Sequence, residues 1–233
     1  MRPTIRVVLV EPLGEANIGA CARLVKNFAA HELVIVNPPP LGKQARMFAM
    51  HACDVLEHAR VCQSLREAIQ GCTLVVGTTG RTPKGDHDHY RFPLYDVREL
   101  HTLIDGSNVA LVFGRERTGL SNEELELCDV VVTIPTSPEY PSLNLSHAVA
   151  IVLYELSELT GGMHDLSTVE HREGLINHLE ELLLEVGYPA HKRKKTLRMT
   201  RKLLGRAQPT IREVFTLRGI IRRTMWALKR GHA

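Results

Sequence analysis

The chain has 233 residues, 44% of them hydrophobic and 24% charged, enough apolar material for one sizeable core and a small second unit. No run approaches the roughly 18 consecutive apolar residues of a membrane span. The apolar part of Met1–Val10 is too short for a secretion signal, so a soluble, cytoplasmic protein is expected. The net charge of +3 conceals a division: residues 186–233 hold 14 of the 29 Lys and Arg but one of the 26 acids, Glu213, for a net +13, against −10 for residues 1–185. That asymmetry fits an acidic folded unit with an appended binder of polyanions, the alternatives being a solvated basic helix or a membrane-surface helix.

Taken in chain order, the elements alternate. Ile5–Val10 reads as a first strand, Ile18–Phe28 as a helix, Leu33–Val36 as a strand and Lys43–His51 and Ser64–Gln70 as helices. Thr73–Gly77, Val109–Phe113 and Val130–Ile134 are again short β-branched runs, of the kind buried on both faces of a parallel sheet. Ser121-Asn-Glu-Glu124 is a capping box that starts a helix over Asn122–Leu127, and a further helix over about Leu145–Leu159 closes the unit. Such alternation predicts an α/β fold, a mostly parallel sheet with helices on both faces. Domain limits follow as 1–160, a linker over 161–167 beginning in the Gly-Gly pair, and a small basic helical unit over 168–233. In that unit Ser167-Thr-Val-Glu170 reads as a capping box and Gly187 as a helix stop. Pro209-Thr-Ile-Arg-Glu213 starts a last helix with its own capping box, and its Ile211, Val214, Phe215, Ile221, Met225 and Leu228 form one apolar stripe. Lys192, Arg193, Lys194, Lys195, Arg198, Arg201 and Lys202 are the expected RNA contacts.

The first strand-to-helix turn, Gly14-Glu-Ala-Asn-Ile-Gly19, has the glycine spacing of a phosphate-binding loop but is followed by Ala20-Cys21 in place of Lys and Ser/Thr, and it lacks G-x-G-x-x-G. Nucleotide hydrolysis and dinucleotide binding therefore fail at their defining residues. Metal chemistry is also disfavoured: the five cysteines, Cys21, Cys53, Cys62, Cys72 and Cys128, never fall as C-x-x-C, and Asp86-His-Asp-His89 lies in a polar loop with no further ligand indicated. Three segments remain, each starting at the end of a strand: Gly77-Thr-Thr-Gly-Arg81, Phe113-Gly-Arg-Glu-Arg-Thr-Gly-Leu120, and Ile134 through Ser146. Ligands of open α/β sheets bind outside the carboxyl ends of strands, so the three loops can build one pocket.

Asn17-Ile-Gly-Ala-Cys-Ala-Arg23, Phe113–Leu120 and Ser142-Leu-Asn-Leu-Ser146 resemble, in order and interval, the three motifs of the TrmH branch of the SPOUT methyltransferases. Leu-Val-Phe-Gly-Arg-Glu-Arg-Thr-Gly-Leu-Ser-Asn-Glu-Glu-Leu and Glu139-Tyr-Pro-Ser-Leu-Asn-Leu are most similar to the TrmJ subfamily. The resemblance implies a trefoil-knotted sheet, a homodimer, and transfer of a methyl group from S-adenosyl-L-methionine to a ribose 2′-hydroxyl of RNA, with tRNA nucleotide 32 of the anticodon loop as target. Carried over by position, cofactor contacts fall on Thr79, Gly80 and Arg81, on Gly114, and on Ile134, Pro141, Ser142 and Leu143. Arg23, Ser142 and Asn144 are the catalytic candidates, with Arg23 reaching the site from the other subunit; Asn17 and Glu116 are supporting residues. A guanidinium is always protonated, so Arg23 fits charge stabilisation or a phosphate clamp better than a general base. An RNA-binding protein of this fold without transfer activity, or methylation of another RNA or of a base, are the alternatives.

Overall fold

The computed structural model describes residues 4–81, 90, 91, 93–104, 108–157 and 165–231. Its elements in order are β1 (Thr4–Val10), α1 (Glu15–Asn27), β2 (Glu32–Val36), α2 (Lys43–Ala49), α3 (Cys53–Glu57), β3 (Arg60–Cys62), α4 (Leu65–Ala68) and β4 (Leu74–Thr78). There follow β5 (Leu94–Asp96), α5 (Leu100–Leu103), β6 (Asn108–Phe113), α6 (Asn122–Glu126), β7 (Val130–Thr133) and α7 (Leu145–Glu155). Three longer helices complete the chain: α8 (Val169–Glu185), α9 (Ala190–Ala207) and α10 (Ile211–Gly231).

The strands form one seven-stranded sheet in the order β3-β2-β1-β6-β4-β7-β5, and every pairing is parallel. Alternation along each strand sends side chains to two separate cores. Val7, Leu9, Leu33, Leu111 and Val132 meet α1, α2 and α7 on one face, while Val8, Val34, Val75, Val112 and Val131 meet α4 and α6 on the other. A sheet covered twice can consist of apolar β-branched residues throughout, which is why these runs are continuous. The expected α/β class with helices on both faces is what the chain adopts.

Three expectations need correction. Strands β3 and β5 were not anticipated; each is three residues long and sits at a sheet edge, where one flank is unpaired and no apolar run is required. The capping box of α8 is displaced by one residue. Thr168 is the cap and His171 its partner, the Thr168 N–H donating to His171 Nδ1 at 3.2 Å, because Glu170 instead accepts the Gly71 N–H at 3.0 Å. The stripe on α10 is only partly covered. Val214 is fully buried in a small core with Leu175, Ile176, Leu183, Leu197 and Leu204, whereas Phe215 stays half exposed, because α10 packs on α8 along one side alone. The other two boxes form as expected, Ser121 with Glu124 and Thr210 with Glu213, and Gly187 ends α8 with φ of +66°. Residues 158–164, with most of the anticipated linker, and the Asp86–His89 cluster lie outside the described residues.

The C-terminal helices are fastened to the sheet by polar contacts. Arg172 of α8 donates to the carbonyls of Thr73 and Ser167 and to Asp129 at the start of β7, and α9 lays Gly205 directly on Asp129. A Cβ at position 205 would overlap that carboxylate, so only glycine lets the helix come so close.

Candidate active site

Strands β6, β4 and β7 are neighbours, so the loops leaving their carboxyl ends converge. They enclose a cleft of about 270 Å³. Its wall contains Thr79, Gly80 and Arg81 after β4, Gly114 after β6, and Ile134, Pro141, Ser142 and Leu143 after β7, so all eight expected cofactor positions lie together. Local hydrogen bonds set the loops: the Thr79 N–H donates to Val132 O at 3.0 Å, and Thr136 Oγ1 donates to Pro141 O at 3.1 Å. Gly114 is required by a close crossing, since a Cβ there would run into the Gly119–Leu120 peptide.

Beside the cleft the three motifs are joined by one line of hydrogen bonds. β1 and β6 run side by side with Leu9 opposite Phe113, so the turn after β1 meets the loop after β6. Glu116 there accepts the N–H groups of Leu13 at 2.9 Å and Gly14 at 3.2 Å, and Asn17 Nδ2 at 2.8 Å. Asn17 Oδ1 in turn accepts from Asn144 Nδ2 at 3.0 Å, possible because α7 packs on α1. Asn144 Oδ1 caps α7, accepting from the Ser146 N–H at 2.9 Å. Burial pushes the Glu116 carboxyl up, but the donors from Asn17, Leu13 and Gly14 outweigh it and hold the group below the ordinary carboxylate value. Its named partners are all donors within the chain, so the carboxylate ties the turn after β1 to the loop after β6.

Arg23 lies on the exposed surface of α1, does not line the cleft of its own chain, and among the described residues has no hydrogen bond or ion pair. Ser142 lines the cleft, while Asn144 stands at its rim in the motif network. Sequence reasoning missed Arg91, Arg115 and Arg117, which also line the cleft. The Gly-Arg-Glu-Arg run after β6 carried the signal for two of them. Arg115 is bound by Glu11 and Glu124.

The basic residues of α9 divide by direction. Lys192, Lys194 and Lys195 are exposed. Arg198 pairs with Glu126 and stacks over the Tyr90 ring at 4.1 Å, Arg201 forms two hydrogen bonds to Glu173, and buried Lys202 donates to Tyr90 O at 2.6 Å. The reason is helical geometry: 198, 202 and 205 share the face that packs on the sheet unit, while Arg201 beside them reaches Glu173 of α8, so these cations hold α9 in place. Arg193 is half buried. Among the described residues no group of His, Cys, Asp and Glu is arranged to hold a metal, and no helix is long and apolar enough to cross a membrane. The cysteines there are free, and burial pushes the thiol of Cys72 up to about 11.

The parallel sheet with a cleft at its carboxyl edge is that of an α/β transferase of the SpoU methylase type, for residues 4–154 match the model of the SpoU rRNA methylase family. Residues 170–233 match the C-terminal domain of the tRNA methyltransferase TrmJ. The tRNA (cytidine/uridine-2′-O-)-methyltransferase TrmJ of Pectobacterium atrosepticum is 39% identical over 95% of this chain and 96% of its own. The crystal structure of TrmJ from Z. mobilis ZM4 superposes with a TM-score of 0.79 at 32% identity, over 96% of this chain and 99% of that one. The SpoU methyltransferase AviRb of Streptomyces viridochromogenes, solved in complex with AdoMet, shares the fold at a TM-score of 0.52 and 24% identity, over 67% of this chain and 61% of its own. The chain belongs to the TrmJ family of SpoU-type methylases.

Proposed function

We propose that this protein methylates a ribose 2′-hydroxyl of tRNA with S-adenosyl-L-methionine, at nucleotide 32 of the anticodon loop, and that it works in the cytoplasm as a homodimer. The observation that carries this reading is the meeting of Asn17, Glu116 and Asn144, from three motifs, in one network beside a cleft walled by all eight expected cofactor positions. The cleft suits the cofactor: Leu120, Ile134, Leu143 and Ala148 offer apolar surface. Gly80, Ser142 and Leu143 make no hydrogen bond among the described residues, so their backbone groups are available to a ligand.

Bound in this cleft, S-adenosyl-L-methionine supplies an electrophilic methyl group. The chain's own residues then have to place the hydroxyl in line and stabilise the oxygen as its proton leaves. Ser142 lies in the cleft wall and Asn144 is fixed by the motif network, positions from which they orient the ribose. Arg23, absent from its own cleft, supplies its fixed positive charge to the developing alkoxide from the second subunit. Residues 1–160 form the transferase domain, 161–167 the linker and 168–233 an RNA-binding extension, whose exposed Lys192, Lys194 and Lys195 face the phosphates. The test is methyl transfer from labelled S-adenosyl-L-methionine to tRNA carrying ribose or 2′-deoxyribose at nucleotide 32. Label in the ribose form alone supports the proposal. Equal labelling of both moves the target, and no labelling of any tRNA leaves an RNA-binding protein.

A further inference from the structure

Tyr90 and Arg91, ahead of β5, lie between the cleft and the C-terminal extension. Arg91 is part of the cleft wall. Its neighbour Tyr90 is gripped twice from α9: the Arg198 guanidinium lies 4.1 Å from the ring centroid, and Lys202 Nζ donates to the Tyr90 carbonyl at 2.6 Å. The grip is itself anchored. Arg198 Nε donates to Glu126 Oε1 at 3.0 Å on α6, and Lys202 is 4% exposed. A buried ammonium and a stacked, ion-paired guanidinium both meet this one half-buried tyrosine, and together they fix its backbone and its ring.

We infer that Arg198 and Lys202 are positioning residues for the methyl-donor cleft, acting through Tyr90 to place Arg91 in its wall. This rests on the reading of the cleft as the S-adenosyl-L-methionine site. The basic extension then has a second duty besides meeting RNA: it completes the cofactor site of its own chain. Whatever shifts α9 on the sheet unit changes cofactor affinity, and cofactor binding steadies α9 by the same factor.

The experiment is calorimetric titration of full-length, RNA-free protein with S-adenosyl-L-methionine, for the wild type, Tyr90→Phe, Tyr90→Ala, Arg198→Ala and the Tyr90→Ala/Arg198→Ala pair. Tyr90→Phe keeps the ring and should bind as the wild type does. Tyr90→Ala and Arg198→Ala should each weaken binding about fivefold or more, the lower end of ordinary coupling between sites. The double variant should be no weaker than Tyr90→Ala alone, since the guanidinium acts only through the ring. Tyr90 is partly exposed, so its substitution tests the idea even where Arg198→Ala loosens the fold. Unchanged affinity in Tyr90→Ala, or additive losses in the pair, would overturn the inference and restore Arg198 to a purely RNA-facing or structural role. A wild type that binds no S-adenosyl-L-methionine would overturn the functional reading, and the inference with it.

Discussion

Arg172 and Asp129 form an ion pair between the C-terminal helices and the sheet, Nη2 to Oδ2 at 2.6 Å, with side chains only 5% and 3% exposed. Asp129 Oδ2 also accepts the Val75 N–H at 2.9 Å, and Arg172 donates to two carbonyls, so both charged groups have partners inside the protein. Removing one member leaves the other charged and dry, at a cost of about 3–5 kcal/mol. Arg172→Met should lower stability by that order in urea unfolding, and Arg172→Met with Asp129→Leu should recover a good part of it. A loss under about 1 kcal/mol for the single variant would mean that water replaces the guanidinium.

Glu116 makes the motif network sensitive to acid. Its folded value is lowered from 4.5, so the stability it lends is present above the unfolded value and is lost as pH falls through the lower folded one. Glu116→Gln should therefore be less stable than the wild type at neutral pH, and the gap should close as pH falls below the ordinary carboxylate range. A gap that stays constant across the series would place the effect in packing and not in charge.

Gly80 and Gly114 should respond differently to substitution. The nearest neighbour of a Cβ at position 80 is Pro141 O at 3.4 Å, whereas at position 114 it meets backbone that cannot yield. Gly80→Val should weaken S-adenosyl-L-methionine binding with little change in Tm. Gly114→Ala should lower Tm and affinity together. Thermal unfolding alongside calorimetry separates the two, and a Gly80→Val variant with full affinity would take that loop out of the cofactor site.

Arg23→Ala should retain cofactor affinity and lose turnover. Mixed with Ser142→Ala subunits, it should regain activity through the one composite site that contains both native residues. Absence of recovery after verified subunit exchange would argue that each chain completes its own site.

Charge on the extension is best tested by substitution. Cutting after Gly187 would also uncover Leu175, Ile176 and Leu183, which α9 and α10 help to bury. Replacing Lys192, Lys194 and Lys195 by Gln should flatten the log–log salt dependence of tRNA binding by about 2 to 3, at roughly 0.7–0.9 per phosphate contact. Arg201→Gln, whose native guanidinium is held by Glu173, should leave that slope nearly unchanged. Equal slopes for the triple variant and the wild type would remove this stretch from RNA recognition.

Much of the fold was legible because a twice-covered parallel sheet writes itself as apolar runs, and β1, β2, β4, β6 and β7 all carry them. Edge strands do not, which hid β3 and β5. Of the cleft, the places of Thr79, Gly114 and Ser142 could be carried over by position from the family resemblance, and all three line it. The direction of a side chain could not. Arg198, Arg201 and Lys202 read as free cations in a basic helix, yet Glu126, Tyr90 and Glu173, which claim them, come from distant parts of the chain. Arg91 was missed for a related reason: it lies far along the chain from the three motifs, and no local pattern records its place in the cleft wall.

The line from Glu116 through Asn17 to Asn144 has a polarity. A carboxylate only accepts, so Asn17 must turn its NH2 toward Glu116 and its oxygen toward Asn144. Asn144 must then donate, which leaves its own oxygen for the first turn of α7. One negative charge thereby sets the orientation of two amides that would otherwise be nearly symmetric in shape. In a chimera assembled from two such enzymes, a crossover between these motifs would be silent only if both parents kept the same sense of donation. A parent with an acceptor-only residue at position 144 would bring two oxygens face to face, and the damage would surface at a helix start far along the chain from the junction.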